Sequence, residues 1–401
     1  MNRRDLLKNS ALLLGVSRSL SAQETMPVGK TATDQQRNAE LLGGYDYKKY
    51  PEALTGYTGQ DLQRVAFLRW DHAVRTRVGP RGNYKAGMTL LANGKIVLAV
   101  CNTTGYYGET DPAKRHFPIF VYESPDLGLT WQEIGKTPLA GKEPALVTLP
   151  DGTIVMTAQG GYFGPGAKLD EIPVSRSTDG GCTWETQAIP GSDYPRDLIV
   201  EPDGSVLMVR ALKPDWEGKG GGSPNLQLAR SKDSGKTWQF SEGIIDWDYA
   251  GFGEVSAIRL KGGHYLAALR RQHPGTSKEA FEDTVLTESR DGGEHWSKPW
   301  KLSANAEVHA YLTELRDGRL LATYSNYHLP WGSFAVMSLD HGKTWDLDHP
   351  IQLSLSADIY VGWPVTLQLP DDSLITAYSA TTYYKQSPEH VTCEVVCWRL
   401  P

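Results

Sequence analysis

The sequence predicts an all-β chain folded as a closed six-bladed β-propeller, and two interleaved repeats with a turn-rich composition predict it. The first repeat is an eight-residue box. It occurs as SPDLGLTW (124–131), STDGGCTW (177–184), SKDSGKTW (231–238), SRDGGEHW (289–296) and SLDHGKTW (338–345). The pattern is S-x-D-x-G-x-T-W, with His295 once in place of threonine. Each box reads as a tight turn in which aspartate accepts backbone N–H groups, glycine supplies positive φ and tryptophan packs beneath. Five copies in one chain, roughly fifty residues apart, mark repeated blades.

The second repeat is a strand, a turn and a strand, present six times. The copies are YKAGMTLLANGKIVLAV (84–100), KEPALVTLPDGTIVMTA (142–158), YPRDLIVEPDGSVLMVR (194–210), FGEVSAIRLKGGHYLAALR (252–270), VHAYLTELRDGRLLATYS (308–325) and GWPVTLQLPDDSLITAYS (362–379). The composition agrees: 41 Gly, 24 Pro, and 12 Trp with 19 Tyr against 8 Phe suit short strands, many turns and aromatic anchors. Six hairpins with five boxes imply that the sixth blade is closed by both ends of the chain. Its terminal strand is VTCEVVCWRL (391–400), and the missing outer strand is expected in RVAFLRW (64–70).

The domain plan is a signal over 1–22, an extension over 23–60 and the propeller over 61–401. Arg3 and Arg4 precede an apolar run, Ala11–Val16, and small residues at Ser21 and Ala22. That order reads as an export signal of the twin-arginine type, so the mature chain is expected to be periplasmic or secreted. The apolar run is too short to span a bilayer. A formal net charge of -6 argues against general nucleic-acid binding. The four cysteines, Cys101, Cys182, Cys393 and Cys397, form neither a disulfide framework nor a zinc-ligand spacing. No metal or other cofactor is expected. GKGGGSPN (218–225) is a surface loop, since no Lys-Ser/Thr and helix follow it.

Registering the hairpins on their turns gives the pocket. The residue eight before the turn aspartate starts each inner strand, facing the central channel. These are Lys85, Glu143, Pro195 with Arg196 beside it, Glu254, His309 and Trp363. Charged or polar groups at most of these positions point to a site, although each is also compatible with a wet channel lining. Tyr311 lies two residues past His309 and reads equally as packing. Trp363 and Tyr162 are candidate sugar-stacking platforms, with core packing the plainer reading of Tyr162.

With these boxes the chain resembles the sialidase (neuraminidase) superfamily, whose Asp-boxes have this pattern and whose fold is the six-bladed propeller. The resemblance covers nearly the whole mature chain and implies a glycosidase. Residue by residue, GFGEVSAIRLKGGHYLAALR matches the family's fourth hairpin. This gives Glu254 as the residue that activates a tyrosine nucleophile and Arg270 as a substrate-carboxylate ligand. Asp111, in GETDPAKRHF, stands where the family's acid/base aspartate falls. Elsewhere the sequence departs. Lys85 replaces the first carboxylate-gripping arginine, no arginine lies near Pro330 and Trp331, and Trp363 stands at the tyrosine position. Lysine is a point charge and not a bidentate fork, and tryptophan cannot be a nucleophile.

The function expected is therefore an exported sialidase-like glycoside hydrolase that cleaves a terminal, anionic sugar from a glycan. Glu254, Glu143, His309 and Asp111 are the candidate catalytic groups. Lys85, Arg196, Arg270, Tyr311 and Trp363 are the candidate substrate-binding groups. Without a tyrosine at the sixth hairpin, an inverting, water-activating route is preferred. A polysaccharide lyase is the alternative, with His309 or Tyr311 as base and a cation neutralising a uronate. A non-catalytic glycan-binding propeller is the second alternative, because fold does not fix function.

Overall fold

The computed structural model describes residues 66–67, 73–104, 111, 116–159, 171–190, 194–211, 226–241, 252–271, 283–303, 307–327, 330–356, 362–381 and 390–400. Two units divide the chain, Met1–Arg64 and Val65–Pro401. The expected signal (1–22) and extension (23–60), like Tyr162, lie outside the described residues.

The second unit is an all-β six-bladed propeller. Its inner strands, one per blade from first to sixth, are Asn83–Leu90, Lys142–Thr148, Tyr194–Val200, Phe252–Arg259, Glu307–Glu314 and Gly362–Gln368. Each pairs antiparallel with the next strand of its hairpin, and the sheets carry third and outer strands beyond. Strand alternation builds the core between blades. In the first blade Ile96 and Leu98 pack against Ile375 and Val395 of the sixth. The intervening Val97 and Ala99 face the other way, onto Ile154 and Met156 of the second. Similar clusters join the second blade to the third, the third to the fourth, the fourth to the fifth and the fifth to the sixth.

All five boxes close by the same bonds. In the first, Asp126 Oδ1 accepts the Thr130 N–H at 2.8 Å, and Asp126 Oδ2 accepts the Thr130 hydroxyl at 2.6 Å. Ser124 Oγ accepts the Gly128 N–H at 2.8 Å, and the Trp131 indole donates to the Gly128 carbonyl at 3.1 Å. In the fourth, His295 takes the threonine's part, with Nδ1 2.7 Å from Asp291 Oδ2.

Closure corrects one expectation. Ala66–Phe67, the described part of 64–70, does not pair with the terminal strand. Val74–Arg77 does, as the outer strand of the sixth blade, antiparallel to Val391–Trp398. Ala66–Phe67 instead runs parallel to Ile351–Gln352 at the edge of the fifth blade. The outer strand of the first blade leads straight into the next inner strand, Gln132–Ala140 into Lys142–Thr148, and the closing strand does nearly the same. Val74–Arg77 lies just before Asn83, and its exit is tied down where Val78 and Gly82 donate to the carbonyls of Cys393 and Val391.

Candidate functional site

The site begins with a backbone irregularity repeated around the ring. In every blade the inner strand slips out of register near its start. The skipped residues include Lys85, Glu143, Arg196, Glu254, His309 and Trp363. Pro195 stays paired with Arg210, so in the third blade the bulge falls at Arg196, one residue later than turn registration gives. Lys85, Glu143, Glu254, His309 and Trp363 carry φ of 53°, 54°, 51°, 58° and 46°. Left-handed backbone at a non-glycine residue costs roughly 1–2 kcal/mol, and the five copies set these side chains at one level of the ring.

A bulge frees an N–H from the ladder, and neighbouring blades recapture it. Ser325 Oγ of the fifth blade accepts the Trp363 N–H at 3.0 Å, and Ser379 Oγ of the sixth accepts the Lys85 N–H at 2.8 Å. Both serines hold the hairpin position that Arg270 holds in the fourth blade, opposite the residue before the bulge. That register was a signal from which the serines could have been found in the sequence.

Side chains from non-adjacent blades meet, which happens only at the ring axis. The Lys85 ammonium of the first blade contacts Glu143 Oε1 of the second and lies 3.8 Å from Glu254 Oε1 of the fourth. Glu254 Oε1 also accepts the Trp363 indole N–H of the sixth at 2.9 Å. Its other oxygen, Oε2, lies 2.6 Å from both Arg270 Nη1 and His309 Nε2. Lys85, Glu143, Glu254 and Trp363 are 5–7% exposed, and His309 is 0% exposed. Burial alone raises a carboxyl's pKa, but Arg270, His309 and Lys85 outweigh it and hold Glu254 well below the usual range.

The Trp363 ring is taken up by protein groups: His309 stacks on it at 4.2 Å, and the Lys85 ammonium sits 3.8 Å from its centroid. Tyr311, half-buried, packs against the apolar cluster shared by the sixth and first blades. Asp111 is half-buried in the segment after the first hairpin. The Arg196 backbone stands in the ring of bulges.

Three further residues join the site without having been expected. Tyr327 lies just past the second strand of the fifth blade, its hydroxyl 3.4 Å from His309 Nδ1 and its ring edge-on to the imidazole. Lys142 precedes Glu143 and sits over the Phe117 ring at 4.8 Å. Burial, then the neighbouring Lys85, pulls Lys142 down to about 8. Cys101 donates to the Tyr84 carbonyl at 2.7 Å. Burial pushes its thiol up to about 12, so it is no thiolate nucleophile. Among the described residues, one group of three, Asp291, Glu294 and His295, brings possible metal-ligand atoms within 4.8 Å of one another, all exposed and on a box turn.

Residues 69–246 match the BNR repeat-like domain family. A sialidase of Bacteroides fragilis is 25% identical over 271 residues, covering 58% of this chain and 47% of that protein. The chain thus spans about half the length of that relative. Among solved structures, a Dyadobacter fermentans protein of unknown function aligns with a TM-score of 0.63 at 22% identity, over 83% of this chain and 99% of that one. An α-L-arabinofuranosidase of Fusarium graminearum, solved with arabinobiose, aligns with a TM-score of 0.60 at 16% identity, over 82% of this chain and 97% of that one. Repeat, fold and sequence likeness agree: the chain is a sialidase-like, BNR-repeat six-bladed β-propeller.

Proposed function

We propose that the protein is a glycoside hydrolase that removes a terminal sugar from a glycan, with the sugar seated over Glu143 and Glu254. The observation that carries this reading is the meeting of those two carboxylates on one ammonium, Lys85, at the ring axis. Cleavage of a glycosidic bond passes through an oxocarbenium-like transition state, and buried carboxylates stabilise that positive charge. With both oxygens of Glu254 engaged, Glu254 acts as a fixed negative charge, and Glu143 is the carboxylate that attacks or directs water. The shared ammonium draws the two carboxylates together from the second and fourth blades. Relatives with glycosidase names, a sialidase and an arabinofuranosidase, support the same class.

The finer reading is that the sugar carries a carboxylate, as in a sialic or uronic acid. Lys85, Arg196 and Arg270 are its candidate ligands, and Asp111 is the acid/base position that the resemblance implies. Ordinary sialosides are expected to be poor substrates, because lysine and tryptophan stand where an arginine and a tyrosine are needed. The purified protein is to be screened on methyl and 4-nitrophenyl glycosides of N-acetylneuraminic acid, glucuronic acid and arabinofuranose. Release of a reducing sugar from the glucuronide is the expected result. Efficient sialoside cleavage removes the specificity argument, and an unsaturated, ultraviolet-absorbing product replaces hydrolysis by the lyase alternative.

Export through the twin-arginine route belongs to the same proposal and rests on Arg3 and Arg4 before the apolar run. Among the described residues no helix is long and apolar enough to cross a membrane. Changing both arginines to lysine is expected to empty the periplasmic fraction of this protein. An unchanged fraction rules the route out.

A further inference from the structure

We propose that Tyr327 is the proton donor of the reaction, with His309 and Glu254 aligned behind it; this rests on the hydrolase reading. Departure of a glycosidic oxygen needs a proton beside it. The carboxylates at the axis are poorly placed to supply one. Glu143 contacts an ammonium, and Glu254 is gripped by an arginine, an imidazole and an indole N–H. His309 is wholly buried, so its ring cannot touch a sugar. Tyr327 is only half-buried, and it forms the outer end of a chain of polar groups. Its hydroxyl is 3.4 Å from His309 Nδ1, and His309 Nε2 is 2.6 Å from Glu254 Oε2.

That chain has a direction. His309 Nε2 faces both Glu254 Oε2, at 2.6 Å, and Arg270 Nη1, at 2.9 Å; the relay takes its proton as shared with the carboxylate, which accepts only. In the relay the ring carries a second N–H at Nδ1, which faces the oxygens of Ser325, at 3.1 Å, and Tyr327, at 3.4 Å. The step then balances. The bond from the anomeric carbon to the glycosidic oxygen breaks, and its electron pair stays on that oxygen, which takes the phenol proton. The phenol oxygen takes the Nδ1 proton, leaving a neutral ring and an ionised Glu254. As that bond breaks, a water directed by Glu143 bonds to the anomeric carbon and gives its proton to the Glu143 carboxylate, and this proton then returns through solvent to Nδ1. One water is consumed, and the enzyme is restored.

The leaving group supplies the test. A methyl glycoside needs the proton, whereas 4-nitrophenolate departs without it. On methyl and 4-nitrophenyl glucuronides, Tyr327→Phe is expected to lower kcat/KM at least ~100-fold for the methyl glycoside and to leave the nitrophenyl glycoside within a few-fold. A melting curve establishes that the variant is folded. Equal losses on both substrates, or none on either, overturn Tyr327 as donor while the hydrolase reading stands. The same holds if Asp111→Asn alone shows the leaving-group dependence. Wild-type protein inert on every glycoside of the screen overturns the hydrolase reading, and this assignment with it.

Discussion

Glu254→Gln is expected to lower kcat at least ~100-fold, the lower part of the range for losing an acid–base or charge-stabilising group. The argument is geometric. Four groups from four blades converge on this carboxylate: Lys85, Arg270, His309 and the Trp363 indole. All four are donors. A carboxylate accepts at both oxygens, whereas an amide accepts at one and donates at the other. Whichever way the amide turns, a donor meets a donor. The variant therefore fails twice: it loses the negative charge at the axis and misaligns the groups that charge holds. Losing a charge-assisted acceptor costs roughly 1.5–3 kcal/mol, so the melting temperature is also expected to fall, without loss of the fold. The penalty depends on pH. The carboxyl is held well below its ordinary value of 4.5, so the wild type's advantage is full above that value and shrinks as pH falls below it. A folded variant with full activity removes the catalytic centre from this position.

The fold was legible because its signals are local and repeated. A box needs only aspartate, glycine and tryptophan at fixed offsets, and a hairpin needs only alternation around a turn, so Glu143, Glu254, His309 and Trp363 fell in register from counting alone. The closing strand was harder to place, because 64–70 has a stronger strand composition than 74–77, and the bonds that tie 78–82 to the terminal strand have no local sequence signal. Arg196 was displaced by one because its bulge differs from that of the other blades. Tyr327 was missed for a related reason. It lies past the end of a strand, outside the register that found the others, and only the packed fifth blade brings its hydroxyl to His309. The sequence also left Trp363 readable as a sugar platform, whereas its ring is occupied by Lys85 and His309.

Gly87→Ala is expected to be strongly damaging, although its backbone is not of the left-handed kind. Gly87 lies on the inner strand of the first blade, two residues past Lys85. A Cβ there would stand 2.0 Å from the Pro144 carbonyl oxygen and 2.9 Å from its carbon. The obstacle is backbone, so no rotamer change relieves it. The inner strands of the first two blades must separate, and they separate where Lys85 meets Glu143, the residue before Pro144. Overpacking of this kind costs typically ~1–3 kcal/mol and occasionally more, and here the upper end is expected. Gly94→Ala is the control. It sits on the first hairpin's turn at φ 85° with nothing within 4 Å of an added Cβ, so it carries only the left-handed penalty of roughly 1–2 kcal/mol. Thermal unfolding of the two variants should therefore place Gly87→Ala below Gly94→Ala, and kcat should fall in the first alone. Equal melting temperatures with equal kcat would mean that the first two blades tolerate separation and that the Lys85–Glu143 contact does not depend on their close approach.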